Sequence, residues 1–177
     1  MVGAVVATLA VGFIAAMAVT GGRRESQQRV RFEAAGLMTA SPEDIEKVEL
    51  EGEGRRLTFV RAAPAGWAAA SASNPLPGRI ASRLETSVRF MHVAEPVRVI
   101  AGGEWERTAL EEFGLARPRC VVRLSGRGRV LLVARFGATN PQDLLQYASV
   151  DGREELYLMP RFVGLEWERM LERPREP

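Results

Sequence analysis

The 177-residue sequence is poor in most of the groups that carry chemistry. It has one histidine, His92, one cysteine, Cys120, and one lysine, Lys47; aspartate occurs only at Asp44, Asp143 and Asp151. A lone cysteine excludes an internal disulfide and leaves the redox compartment open. One histidine and three scattered aspartates do not make a histidine–carboxylate metal cluster, nor a Ser-His-Asp network with spare candidates. No Gly-x-x-x-x-Gly-Lys-Ser/Thr run exists, and neither Gly52-x-Gly54 nor Gly126-x-Gly128 leads into a phosphate-cradling helix. Glu104, Glu106, Glu111 and Glu112 read better as a solvated helix start than as an acid–base pair. The sequence therefore predicts no catalytic residue, metal or cofactor.

Charge of one sign is also missing. The net charge is +2, and the pI of 9.2 reflects a basic set that is almost wholly arginine. Arginine and glutamate alternate along most of the chain rather than gathering on one face with aromatic readers, so no nucleic-acid partner is expected. What is present is a hydrophobic fraction of 46% with 26% charged residues, the balance of a folded protein. The length allows one domain of ordinary size plus an anchor.

That anchor is the longest hydrophobic run. Met1 to Thr20 holds no charged side chain, and about 20 apolar residues at 1.5 Å each match the roughly 30 Å hydrocarbon core of a bilayer. Gly21-Gly22-Arg23-Arg24 ends the run and puts Arg23 and Arg24 at headgroup level, so membrane lipid is the first expected partner. Ala16-Met17-Ala18 resembles a signal-peptidase site, but the basic stretch that should precede the apolar core of a signal peptide is missing. Ala4, Thr8, Gly12 and Ala16 recur every four residues and line one helix face with small side chains. Such a face lets transmembrane helices of other subunits approach closely. Arg23, Arg24, Arg29 and Arg31 follow the anchor, an asymmetry that taken alone keeps the rest of the chain cytoplasmic.

The expected organisation is an anchor helix at 1–22, a juxtamembrane connector at 23–40 interrupted by Gly36, an α+β domain at 41–173 and a tail at 174–177. Ser41-Pro42-Glu43-Asp44 has an N-cap serine, a proline at the first helical position and first-turn acids. Lys47–Glu51 and Arg56–Ala62 alternate around Gly52-Glu53-Gly54, which predicts a hairpin. Trp67 lies in a third strand; Asn74-Pro75-Leu76-Pro77-Gly78 then breaks the chain before a helix whose buried stripe is Ile80, Leu84, Val88 and Met91. A strand over Val97–Ile100 and a capping-box turn at Thr108-Ala109-Leu110-Glu111 follow. Hairpins are expected around Ser125-Gly126-Arg127-Gly128 and Asp151-Gly152, and Phe162, Leu165, Met170 and Leu171 mark a closing helix. Shifted by 74 positions, Val48, Leu50, Gly52, Gly54, Arg55, Leu57 and Arg61 match Val122, Leu124, Gly126, Gly128, Arg129, Leu131 and Arg135. Two related βββα units would explain the echo, and so would independent hairpins converging on Gly-x-Gly turns.

Arg117, Arg119, Arg123, Arg127 and Arg129 form the densest basic group. Strand alternation places Arg119 and Arg123 on one face, a candidate contact for a partner or an anion, with Trp67 or Trp105 as candidate stacking residues. An ordinary exposed strand face accounts for the same pattern. Cys120 begins an apolar run and reads as a buried thiol.

Phe113-Gly114-Leu115-Ala116-Arg117-Pro118 before a strand, then a hairpin, then Tyr147-Ala148 and Leu156-Tyr157-Leu158, resembles an uncharacterised family. This is the membrane-anchored domain of unknown function found beside gliding-motility-type ABC transporter components. Trp67 after Gly66 and the N-terminal anchor fit the same pattern. The resemblance implies a single-pass protein of the inner membrane whose α+β domain is periplasmic and assists a transporter, with no catalytic residues to carry over. An accessory place in a respiratory or photosynthetic complex, or a tethered ligand-binding module, would satisfy the same residues.

Overall fold

The computed structural model describes residues 34–62, 66–72, 74–105 and 109–172. The expected anchor with Ala4, Thr8, Gly12, Ala16, Arg23 and Arg24, the connector up to residue 33, the capping residue Thr108 and the tail at 174–177 lie outside the described residues. Among the described residues no helix is long and apolar enough to cross a membrane.

A 3-10 turn, Pro42–Asp44, leads into β1 (Lys47–Gly52), β2 (Arg55–Arg61), β3 (Trp67–Ala69), α1 (Gly78–Val93), β4 (Arg98–Ile100) and α2 (Ala109–Glu112). There follow β5 (Cys120–Gly126), β6 (Arg129–Thr139), β7 (Leu145–Val150), β8 (Leu156–Pro160) and α3 (Arg161–Leu171). All eight strands join one sheet in the order β3-β2-β1-β5-β6-β7-β8-β4, and every pairing is antiparallel. The domain is thus α+β, an antiparallel eight-stranded sheet with few helices. The first two expected hairpins close on near-identical turns: Glu53 and Gly54 have φ of 51° and 71°, Arg127 and Gly128 51° and 72°. Two successive positive φ values match the right-handed twist of the flanking strands, and glycine at the second position takes them without strain.

Alternation along the strands gives the sheet two unlike faces. On one, Val48, Leu50, Phe59, Trp67, Val122 and Leu124 are buried in the same core as Leu84, Val88 and Met91 of α1 and Val163, Trp167 and Leu171 of α3. Leu37 and Met38 are buried there too, so the packed domain begins before the expected boundary at residue 41. Gly36 permits this. Its N–H donates to the His92 carbonyl at 2.9 Å, and a Cβ there would lie 2.4 Å from the Met91 carbonyl oxygen.

Both main helices begin directly after a proline held in nearly the same conformation, Pro77 at φ −51°, ψ 137° and Pro160 at φ −53°, ψ 133°. Their inward faces differ from expectation in two places. Ile80 shares the arc of Leu84 and Met91 but sits in the first turn, where cover is incomplete, and it is 42% exposed. In α3 the inward face is Val163, Gly164, Trp167 and Leu171, while Phe162 points out. Gly164 is the reason: a Cβ there would lie 2.0 Å from Gln146 Oε1 and 2.9 Å from Phe136 Cδ1. The helix closes on the sheet through a residue that a hydrophobicity pattern scores as nothing.

The opposite face is covered only in part. The chain between β4 and β5 crosses it, with Phe113 stacked on Tyr147 at 4.5 Å, the Ala138 N–H donating to the Phe113 carbonyl at 2.7 Å, and Leu115 buried. Across β2, β1 and β5 the alternate residues of this face include Glu51 and Arg123, which are exposed, and Thr58, Glu49 and Ser125, which are half-buried. At the centre of the sheet the β1–β5 register meets the 74-residue echo. Glu49 pairs with Arg123, its own equivalent under that shift, while Val48 faces Leu124 and Leu50 faces Val122.

Candidate functional site

Arg119 immediately precedes β5, its N–H donating to the Phe136 carbonyl at 2.8 Å, and it shares strand parity with Arg123. Arg123 sits on the open face between Glu49 of β1 and Val133 of β6. Both side chains are exposed. Other charges of this face are already paired: Lys47 with Glu49 at 3.0 Å, Arg56 with Glu51 at 2.8 Å, and Arg135 with Asp151. Among the described residues neither Arg119 nor Arg123 has a side-chain hydrogen bond or ion pair. They can therefore engage an acceptor without giving one up. In water such an exposed contact is worth little on its own, so a partner would have to cover it.

Trp67 cannot serve there. It lies on the helix-covered face, 1% exposed, its Nε1 donating to Glu85 at 2.9 Å and its ring 4.5 Å beneath the Arg61 guanidinium. Trp105, in the chain between β4 and α2, is half-buried.

Two shallow depressions flank the β5–β6 turn. One, of about 380 Å³, is lined by Thr39, Ala40, Asp44, Arg127, Arg129 and Leu131; the other, of about 330 Å³, by Lys47, Glu49, Ser125, Arg129 and Val130 among others. Their charges largely answer one another. Arg127 pairs with Asp44 at 2.5 Å, and its N–H donates to Glu46 at 3.0 Å.

Among the described residues His92, Glu104 and Cys120 sit on different elements, each with its own structural partners or burial. His92 Nδ1 lies 3.1 Å from the Met38 carbonyl, where the chain packs on the end of α1. Glu104 pairs with Arg98 at 3.0 Å and accepts from the Ala101 N–H at 3.2 Å. Cys120 is fully buried at the start of β5; burial, and then the Glu168 carboxylate, push its thiol far above the ordinary value while Arg161 acts the other way. The Ser41 hydroxyl donates to Glu43 instead of capping a helix, and it holds that carboxyl below the usual range.

Two polar networks escaped the sequence reading. Arg61 pairs with Glu85 at 2.9 Å and donates to the Ile45 and Pro42 carbonyls at 2.9 and 3.0 Å, tying β2 to α1 and to the 3-10 turn. Arg161, Glu168 and Gln146 form the second, beneath α3. Only fold-level proximity joins these residues, and no local motif marks them.

No family model, curated protein or solved structure matches this chain.

Proposed function

We propose that this chain is a non-catalytic accessory subunit of the inner membrane. The segment at 1–22 inserts beside transmembrane helices of a larger complex, and the α+β domain braces that complex at the membrane face. The observation that carries this reading is the uncharged run from Met1 to Thr20, with its small-residue face of Ala4, Thr8, Gly12 and Ala16. The domain supports it from the other side. Arg119 and Arg123, without an ion pair among the described residues, are exposed beside and on a sheet face that a partner can cover. The family resemblance would make the host an ABC-type transporter and the domain periplasmic; a respiratory or photosynthetic complex fits the same physics. The two depressions beside the β5–β6 turn favour, as a second reading, a membrane-tethered module for a small ligand.

The domain itself we read as two related βββα units, β1-β2-β3-α1 and β5-β6-β7-α3, with β8 added before the second helix. Three coincidences support this. Each unit starts with the same two-residue turn, each helix starts from the same proline conformation, and the pairing of Glu49 with Arg123 sits where a two-fold axis between the units would pass. The helices repeat the pattern: Arg83 pairs with Glu166 at 3.3 Å, and these residues are separated along the chain by the same interval as Pro77 and Pro160. Residues of opposite charge thus occupy equivalent positions, in strand register at Glu49 and Arg123 and as an ion pair at Arg83 and Glu166, where a pair of identical units would set like charges together.

Replacing Gly12 and Ala16 with leucine should abolish close helix packing. Full-length protein captured in mild detergent is expected to bring down its membrane partners, identified by mass spectrometry, and the doubly substituted chain to lose them. Unchanged co-purification would remove helix docking from the account.

A further inference from the structure

The outward surface of the helix layer is basic and apolar at once. α1 exposes Arg79, Arg83 and Arg89, and α3 exposes Arg169. The acids of both helices are spent elsewhere. Glu85 turns to Arg61 and Trp67, and Glu168 is nearly buried against Arg161 and Gln146. Glu166 stays on the surface but lies between Arg83 at 3.3 Å and Arg169 at 2.9 Å. Glu95 and Glu172 follow the helix ends, and Glu43 at the margin accepts from Ser41, with Arg61 and Arg89 near enough to help hold its carboxyl below the usual range. Among the described residues Arg79 and Arg89 have no hydrogen-bond or ion-pair partner. Between the helices Phe162, 46% exposed, meets half-buried Phe90 edge-on at 4.9 Å, with half-buried Leu165 beside it.

We propose that this α1–α3 face rests on an anionic bilayer, with the arginines at the level of the lipid phosphates and Phe162 and Leu165 reaching the boundary between headgroups and acyl chains. Interfacial helices combine these elements, an apolar strip flanked by cations, and an anionic-lipid surface attracts each arginine near it. Lipid suits the geometry better than an acidic protein. Arg79 to Arg89 spans about 15 Å along the helix axis, and none of these cations lines either depression. A planar array of phosphates accepts cations at any spacing, and the apolar strip of Phe162 and Leu165 between them is what a bilayer interface takes up. The inference deepens the tethered reading by naming the surface turned to lipid.

The test uses the full chain in lipid nanodiscs of phosphatidylcholine, alone or mixed with phosphatidylglycerol. An environment-sensitive fluorophore is attached through Thr86→Cys on the helix face or Thr58→Cys on the open sheet face; Cys120 is buried and does not compete. The Thr86 label should shift to the blue in discs containing phosphatidylglycerol, keep its position in phosphatidylcholine alone, and return with salt. Arg79→Glu with Arg89→Glu should lose most of the shift without altering thermal unfolding, and the Thr58 label should not respond. Equal behaviour of both labels, or a shift indifferent to the two reversals, would overturn the proposal. So would a shift caused by soluble polyglutamate and not by phosphatidylglycerol, which would assign the face to an acidic protein. Co-elution with discs separates this inference from the tether. Co-elution in both lipids with a silent Thr86 label leaves the anchor standing and refutes the face; co-elution that depends on phosphatidylglycerol does the reverse; co-elution with neither refutes both.

Discussion

Arg161→Ala should destabilise the domain by about 3–5 kcal/mol, the cost of leaving a buried charge without its partner. The Arg161 and Glu168 side chains are only 12% and 14% exposed and meet at 2.5 Å. Gln146, fully buried, binds both: its Oε1 accepts from Arg161 at 3.0 Å, and its Nε2 donates to Glu168 at 2.7 Å and to the Gly137 carbonyl at 2.9 Å. Without the guanidinium, the Glu168 carboxylate keeps one neutral donor in a water-poor site. Converting the pair to apolar residues, Arg161→Met with Glu168→Leu, should cost less than the single alanine change, because desolvation of a buried ion pair offsets most of its attraction. Urea unfolding of the full chain in mild detergent, followed by tryptophan fluorescence, would measure both. A single substitution that is no worse than the double one would mean that water reaches Glu168 and the network is not a buried one.

Trp67→Ala should be comparably severe, about 3–5 kcal/mol, because it empties a large volume between β2, β3 and α1. Trp67→Phe should cost about 1–2 kcal/mol, the loss of one hydrogen bond to a charged acceptor, since Glu85 keeps Arg61 and the phenyl ring keeps most of the contact area. The same unfolding measurement separates packing from the hydrogen bond by the difference between the two variants. Equal losses would place the energy in the indole N–H.

These two sites also show what local sequence can and cannot carry. Turn chemistry was legible: Gly54 and Gly128 mark residues that need positive φ, and strands on either side follow. Helix existence was legible from the spacing of Leu84, Val88 and Met91. Strand parity places Arg123 on the open face of β5, while Arg119 falls one residue before that strand. Sheet order was not legible, because β1 meets β5 and β8 meets β4 only after long loops close. One residue shows how little displacement suffices. The 74-residue echo equates Arg61 with Arg135, yet a register shift between Leu124 and Ser125 turns β6 over relative to β2. Arg61 therefore faces the helices and holds Glu85, whereas Arg135 faces outward to Asp151. The contact face of α3 was missed for a related reason, since Gly164 contributes closeness rather than apolar area. The two polar networks join residues 7 to 24 positions apart that no motif links.

The membrane reading has a different basis, for it depends on lipid being the surroundings of the first twenty side chains. Extraction of native membranes with alkaline carbonate, followed by detection of the full-length chain, tests this most directly. The intact polypeptide is expected in the membrane pellet, with its N-terminal segment still attached. Intact chain released into the supernatant, or mature protein beginning after Ala18, would contradict it.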